Sequence, residues 1–116
     1  MFIESYPDEL DLLSFFESEP TLVNKSDRHF AYEFTDDTGI HLVFSFNVLE
    51  GWIQTILELN GNRIAGYLSE GVNSFKIKDE INGEYIHSEI IFADTRTEVE
   101  IRLKPFISVK WGTLIR

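Results

Sequence analysis

Residues Phe30 to Phe46, FAYEFTDDTGIHLVFSF, constrain the fold more than any other stretch, because two alternating apolar runs flank a turn whose geometry follows from sterics. Within Asp37-Thr38-Gly39 only the glycine reaches positive φ at low cost, which suits a three-residue hairpin loop ending in a left-handed position. Pairing Asp36 with Ile40 then sets Phe34 opposite Leu42, Tyr32 opposite Phe44 and Phe30 opposite Phe46. A four-residue loop would set Glu33 against Leu42 instead, so the shorter loop is expected, with its aromatic and aliphatic face in the core.

Upstream, Ser5-Tyr6-Pro7-Asp8-Glu9 has helix-start chemistry: Pro7 fits a first turn, and Asp8 and Glu9 complement the positive end of a helix. Tyr6, Leu10, Leu13 and Phe16 recur at spacings of three and four, with Leu12 and Phe15 widening the stripe, and Pro20 follows. A helix is predicted from about Pro7 to Glu17.

From Thr21 onward the period is two and the punctuation is Gly, Asn and Asp, which predicts antiparallel strands joined by hairpins. Asn60-Gly61 suits a type I′ turn, and its register pairs Leu57 with Ile64, Ile53 with Leu68 and Glu58 with Arg63. The other face of that hairpin would gather Trp52, Ile56, Ala65 and Tyr67, an apolar patch in need of cover, which the helix could supply. Asn82-Gly83 predicts a second such turn, between Ser74–Ile81 and Glu84–Ala93. An even-length loop around Asp94 to Thr97 would pair Phe92 with Val99, Ile90 with Ile101, Ser88 with Leu103 and Glu89 with Arg102. Ile107 to Trp111 alternates once more, with Pro105 limiting how its upstream end joins a ladder.

The expected class is mainly β (α+β): an antiparallel meander of about eight strands forming a sandwich or strongly curved sheet, with one N-terminal helix packed on it. No repeat, low-complexity tract or linker interrupts residues 1–116, which read as a single domain. The opening MFIESYPDEL has no basic and apolar leader pattern, and no run approaches the roughly 20 apolar residues of a spanning helix. A soluble, cytoplasmic protein without a membrane partner is expected.

Charge is unevenly placed. Residues 1–24 hold six acids and no base, residues 25–62 six acids and two bases, and residues 63–116 eight of each, so the whole net charge of −10 lies in the first half. Such a field repels nucleic-acid phosphates and attracts a basic protein, although acidity also serves solubility alone.

Catalytic and cofactor chemistry finds no pattern to rest on. The chain has no cysteine, no GxSxG elbow, no phosphate-cradling glycine loop, and single, separated histidines at His29, His41 and His87 without metal-ligand spacing. No catalytic residue, cofactor or metal is expected. Asp36-Asp37 and Asp79-Glu80 fall in or near turns, where Asp is favoured for conformational reasons. Gly51 and Gly66 sit beside strands, where glycine relieves packing or marks a bulge.

In its short length, acidity, N-terminal helix before a β-meander, dense aromatics and the ending Ser108-Val109-Lys110-Trp111-Gly112-Thr113-Leu114, the chain resembles the small immunity proteins of bacterial polymorphic toxin and contact-dependent inhibition systems. The resemblance implies a non-catalytic protein that binds and blocks a cognate basic toxin domain, typically a nuclease whose cationic cleft attracts carboxylates. Under it, Glu4, Asp8, Glu9, Asp11 and Glu17 are the first candidates for partner binding, with Asp36, Asp37 and Glu50 next. Trp52, Tyr67 and Trp111 are either aromatic anchors or core. The alternatives are a carbohydrate-binding β module using exposed Trp52 and Tyr67, a small enzyme built on His41 or His87 with a carboxylate, and an assembly subunit pairing through an edge strand.

Overall fold

A computed structural model describes residues 2–115. Period-two patterning dominates the chain and so does β structure. After α1 (Glu9–Phe16) come β1 (Leu22–Asn24), β2 (His29–Thr35), β3 (Ile40–Asn47), β4 (Trp52–Leu59) and β5 (Asn62–Ser69), then β6 (Lys76–Glu80), β7 (Gly83–Phe92), β8 (Thr95–Arg102) and β9 (Ser108–Ile115). Two antiparallel meanders result, one of five strands in the order β1 to β5 and one of four in the order β6 to β9. Nine strands lie among the described residues where about eight were expected; the addition is β1, three exposed residues too short to show a period.

The β2–β3 register is the expected one, with Phe34, Tyr32 and Phe30 opposite Leu42, Phe44 and Phe46, and Gly39 at φ +93°. Asn60 and Gly61 both take positive φ, and Glu58 faces Arg63. One step further the ladder shifts: a bulge at Leu57/Glu58 leaves Ile64 unpaired, so Leu57 meets Ala65 rather than Ile64, and Ile53 meets Ser69 rather than Leu68. That slip moves Tyr67 opposite Thr55, on the core side, while Trp52 stays on the outer side. The four-residue patch expected on the outer face therefore does not form as a unit.

Two later hairpins differ from the prediction: one keeps a two-residue turn but places it one residue earlier, and the other is tighter. Glu80 faces Gly83, so the second turn is Ile81-Asn82, with Gly83 at φ +104°. Phe92 faces Thr95 across Ala93-Asp94, giving Ile90–Thr97, Ser88–Val99, Ile86–Ile101 and Glu89–Glu98 in place of the expected pairs. Ala93 carries the positive φ, +50°, that no glycine announced. Both shifts are even, so each residue kept its predicted face.

The inner faces share one core. Leu42, Phe44, Phe46 and Ile53 from the first sheet meet Ile86, Ile90, Val99 and Ile101 from the second, with Phe16 from the helix and Val72 and Phe75 from the connection. At one edge the sheets are joined by Trp111, which stacks on Tyr67 at 5.4 Å and donates from Nε1 to Ser69 Oγ at 2.9 Å. The helix closes the other edge, where Phe16 stacks on Tyr32 at 4.9 Å and lies 6.1 Å from Phe44. It does not cover the outer face of β4–β5, where Ile64 and Leu68 stay exposed. Its buried stripe is Leu12, Phe15 and Phe16, while Leu10 points to solvent. The helix is also shorter than predicted, since Asp8 caps its start and Glu17 its end.

Thr55 is completely buried between Phe44 and Tyr67 in the ladders, and its hydroxyl has no hydrogen-bond partner among the described residues. A buried hydroxyl without a partner opposes folding. Thr55→Val, nearly the same shape, is expected to stabilise the fold by about 1 kcal/mol, seen as a higher urea midpoint. A lower midpoint would place an ordered water on that hydroxyl.

Candidate partner-binding surface

Half of the twelve acids in residues 1–62, Asp8, Glu9, Asp11, Glu17, Glu19 and Asp37, lie on α1 or beside it. Asp8 is fixed as the N-cap, Oδ1 accepting from Asp11 N at 2.8 Å, and Glu9 and Asp11 follow in the first turn, all three exposed. Glu17 stands at the opposite end in a left-handed C-cap with no basic residue in the last turn. A carboxylate there meets the partial negative charge of the helix terminus, so the helix alone gives no reason for it. Its one cation is Lys104, 2.8 Å away. Glu9 and Glu19 flank a shallow groove over Tyr32, whose phenol is pushed above its ordinary value first by burial and then by the negative potential of those two carboxylates.

Across the helix, Asp11 shares a second groove with Lys76, Asp79 and Glu84 from the β6–β7 hairpin, and Glu17 shares a third with Asp37 and Lys104. Asp79 and Glu84 were missed by sequence reasoning, which assigns Asp79 to turn chemistry; only the meeting of the helix with a hairpin nearly 70 residues later brings them in. Among the described residues no ion pair involves Asp8, Glu9, Asp11, Asp37, Asp79 or Glu84.

The remaining candidates lie elsewhere. Glu4 is exposed, its backbone N–H tied to Asn73 O. Asp36 is buried in the β2–β3 turn: Oδ1 accepts from Thr38 N, Thr38 Oγ1 and Ile40 N, and Oδ2 accepts from Ile107 N at 2.7 Å. Burial raises its pKa, but the hydrogen bonds from the Thr38 hydroxyl and from the Ile107, Ile40 and Thr38 amides outweigh it and hold the carboxyl below its ordinary range. Both oxygens of Asp36 thus serve the fold. Glu50 accepts from Trp52 Nε1 at 3.0 Å, and Trp52 lies edge-on to His29 at 5.1 Å. Trp52 and Tyr67 are half-buried on opposite faces of β4–β5, so they cannot line one sugar-binding groove.

The outer face of the second sheet is its electrostatic opposite, a lattice of paired charges. Arg96 bridges Glu89 and Glu98, which face each other across β7–β8; Glu98 also meets His87 at 3.0 Å, and Glu100 lies 3.5 Å from both Arg102 and Lys110. Arg102 was expected opposite Glu89 and instead covers the Tyr85 ring.

The histidine sites are cross-strand pairs on sheet surfaces. His41 lies 2.7 Å from both Glu33 and Thr35, a chain of three polar groups on the outer face of β2–β3. Hydrogen bonds from Thr21 and then from His41 lower the Glu33 pKa. No histidine lines the three grooves around α1. Among the described residues no group of three or more His, Asp or Glu could hold a metal ion, and no helix is long and apolar enough to cross a membrane.

No protein-family model and no curated protein matches the chain. Among solved structures, it is similar to a chain of a contact-dependent growth inhibition toxin-immunity protein complex from Klebsiella pneumoniae 342. The two share 41% sequence identity at a TM-score of 0.95, over 98% of this chain and 100% of that one. Likeness at that identity and coverage extends beyond the fold.

Proposed function

This chain belongs to the immunity-protein family of contact-dependent growth inhibition systems, and we propose that it binds a cognate toxin and neutralises it by laying the acidic rim around α1 against a cationic surface of that toxin. The carrying observation is the gathering of Asp8, Glu9, Asp11, Glu17, Asp37, Asp79 and Glu84 around one helix, where these carboxylates outnumber the nearby Lys25, Lys76 and Lys104, of which only Lys104 is ion-paired among the described residues. Exposed like charges repel one another, by about 1 kcal/mol for a pair 4 Å apart in water, so the fold gains nothing from the grouping. A cationic partner turns that repulsion into attraction, and its association is accelerated by the same field.

A nuclease is the toxin class this chemistry fits, since a cleft that holds phosphates is basic. Neutralisation is then occupancy of that cleft, without catalysis by this chain, in the cytoplasm where nucleic acid would be attacked. Glu4 extends the acidic area at the N-terminus.

The test is a charge reversal that spares the cap. Asp8→Asn keeps the N-cap acceptor, and Glu9→Lys and Asp11→Lys act at exposed positions, so the fold should survive. Association of this triple variant with the toxin is expected to slow by about 10- to 100-fold at low salt and to lose most of its salt dependence. Rates equal to those of the unaltered chain would remove the helix from the interface.

A further inference from the structure

β7 and β8 extend beyond the cover of the first sheet. Phe92 points to the same side as Ile90, the core side, yet Ile90 is 4% exposed and Phe92 is 68% exposed. The difference arises because β5 ends at Ser69, leaving the last inward ring of β7 without an opposing strand. Between the overhang and the first sheet runs a groove of about 450 Å³, with Ile90, Phe92 and Thr97 on one wall and Glu50 and Glu70 on the other. Thr97 is satisfied by Thr113, 2.8 Å away, so the apolar wall asks for no polar partner.

The two walls together specify an occupant. A purely apolar group would desolvate two carboxylates without compensation, and an anion would be repelled by both. Neither Glu50 nor Glu70 has an ion-pair partner among the described residues, and no cationic side chain lines the groove. What fits is a side chain with an aliphatic stem and a positively charged head.

We propose that this groove receives a lysine or arginine side chain of the cognate toxin, its methylenes against Phe92 and Ile90 and its cationic head between Glu50 and Glu70. The proposal rests on the immunity reading and adds to it a second contact, separate from the helix rim. The stem buries apolar surface on the ring while the head gains two exposed carboxylates at the groove's mouth. A rim charge chiefly alters the rate of encounter, whereas this contact adds a stem packed on Phe92 and Ile90 and should act on the rate of departure.

Binding of the full chain to its cognate toxin domain tests the proposal. Glu50→Gln with Glu70→Gln preserves shape, and Phe92→Ala alters an exposed ring, so circular dichroism and melting should be unchanged. Each variant is expected to weaken Kd by about tenfold or more, mainly through faster dissociation. Backbone amides at 70–71 and 92–95 should become protected from hydrogen exchange when the toxin is bound. If the unaltered chain binds but both variants stay within twofold of its Kd, the groove is not occupied and the proposal falls while the immunity reading stands. If the unaltered chain does not bind the toxin, both fall.

Discussion

Phe44→Ala is expected to lower the free energy of unfolding by about 3–5 kcal/mol, the largest effect of any single truncation considered. The ring is completely buried and stands where three parts of the fold meet. Phe16 of α1 lies 6.1 Å away, Phe46 of its own strand 6.0 Å and Phe75 of the connection between the sheets 5.5 Å. Removing it leaves a cavity that neither sheet can collapse into without breaking a ladder. Chains of this size have stabilities of about 5–15 kcal/mol, so the variant should retain only part of its margin. Urea unfolding would show a lower midpoint at an unchanged slope. A loss below about 1 kcal/mol would mean that the helix and the sheets do not share this ring as a common support.

Asp36→Ala should cost about 2 kcal/mol, discounted because the turn donors regain partial access to water. Four hydrogen bonds end on this carboxylate, three within the turn and one from Ile107 N, 71 residues away, which ties the approach to β9 to the β2–β3 turn. Asp36→Asn separates the two functions: its carbonyl can replace Oδ1 in the turn, but its NH₂ cannot accept from Ile107. The pH dependence has a definite sign. The folded carboxyl titrates below its ordinary value of 3.8, so its contribution is fully present above that value and is lost as pH falls through the folded pKa. Unaltered protein should therefore lose stability as pH drops below about 4. The alanine variant should show a shallower loss over the same range, and parallel curves for the two would exclude Asp36 as a contributor.

Two conformational specialists made their hairpins legible, while a third, Asn82-Gly83, signalled its turn one residue late, since the loop is Ile81-Asn82. Gly39 sets the β2–β3 loop and with it the register of every aromatic pair in that hairpin, and Asn60-Gly61 likewise sets its own turn. The other differences fall where the chain departs from regularity without an unusual residue to mark it. Ile64 is an ordinary strand former yet stands in the bulge, and Ala93 takes a positive φ that alanine seldom adopts. Gly66 does not mark the bulge; it lies opposite Ile56, where an added Cβ would land on the Arg63 guanidinium.

The acidic surface was legible by half. The helix carboxylates follow from local spacing, whereas Asp79 and Glu84 join them only through tertiary packing, and nothing in their neighbourhood along the chain signals it. Asp36 illustrates the converse. Composition counts it with the surface acids, but a turn needs an acceptor at that position and a distant amide needs its second oxygen.

The matched charges on the outer face of β6–β9 have an effect on the molecule as a whole. Residues 1–62, which build α1 and β1–β4, carry the entire net charge, while residues 63–116 sum to zero, so the centre of negative charge is displaced from the centre of mass. Near a positively charged body such a molecule experiences a torque as well as an attraction. It turns its acidic end forward once the gap narrows to about 8 Å at physiological salt, before any side chain touches. Adding two lysines to the neutral lattice would rotate that electrical axis without altering a contact, and the fraction of productive collisions should change while the dissociation rate stays constant.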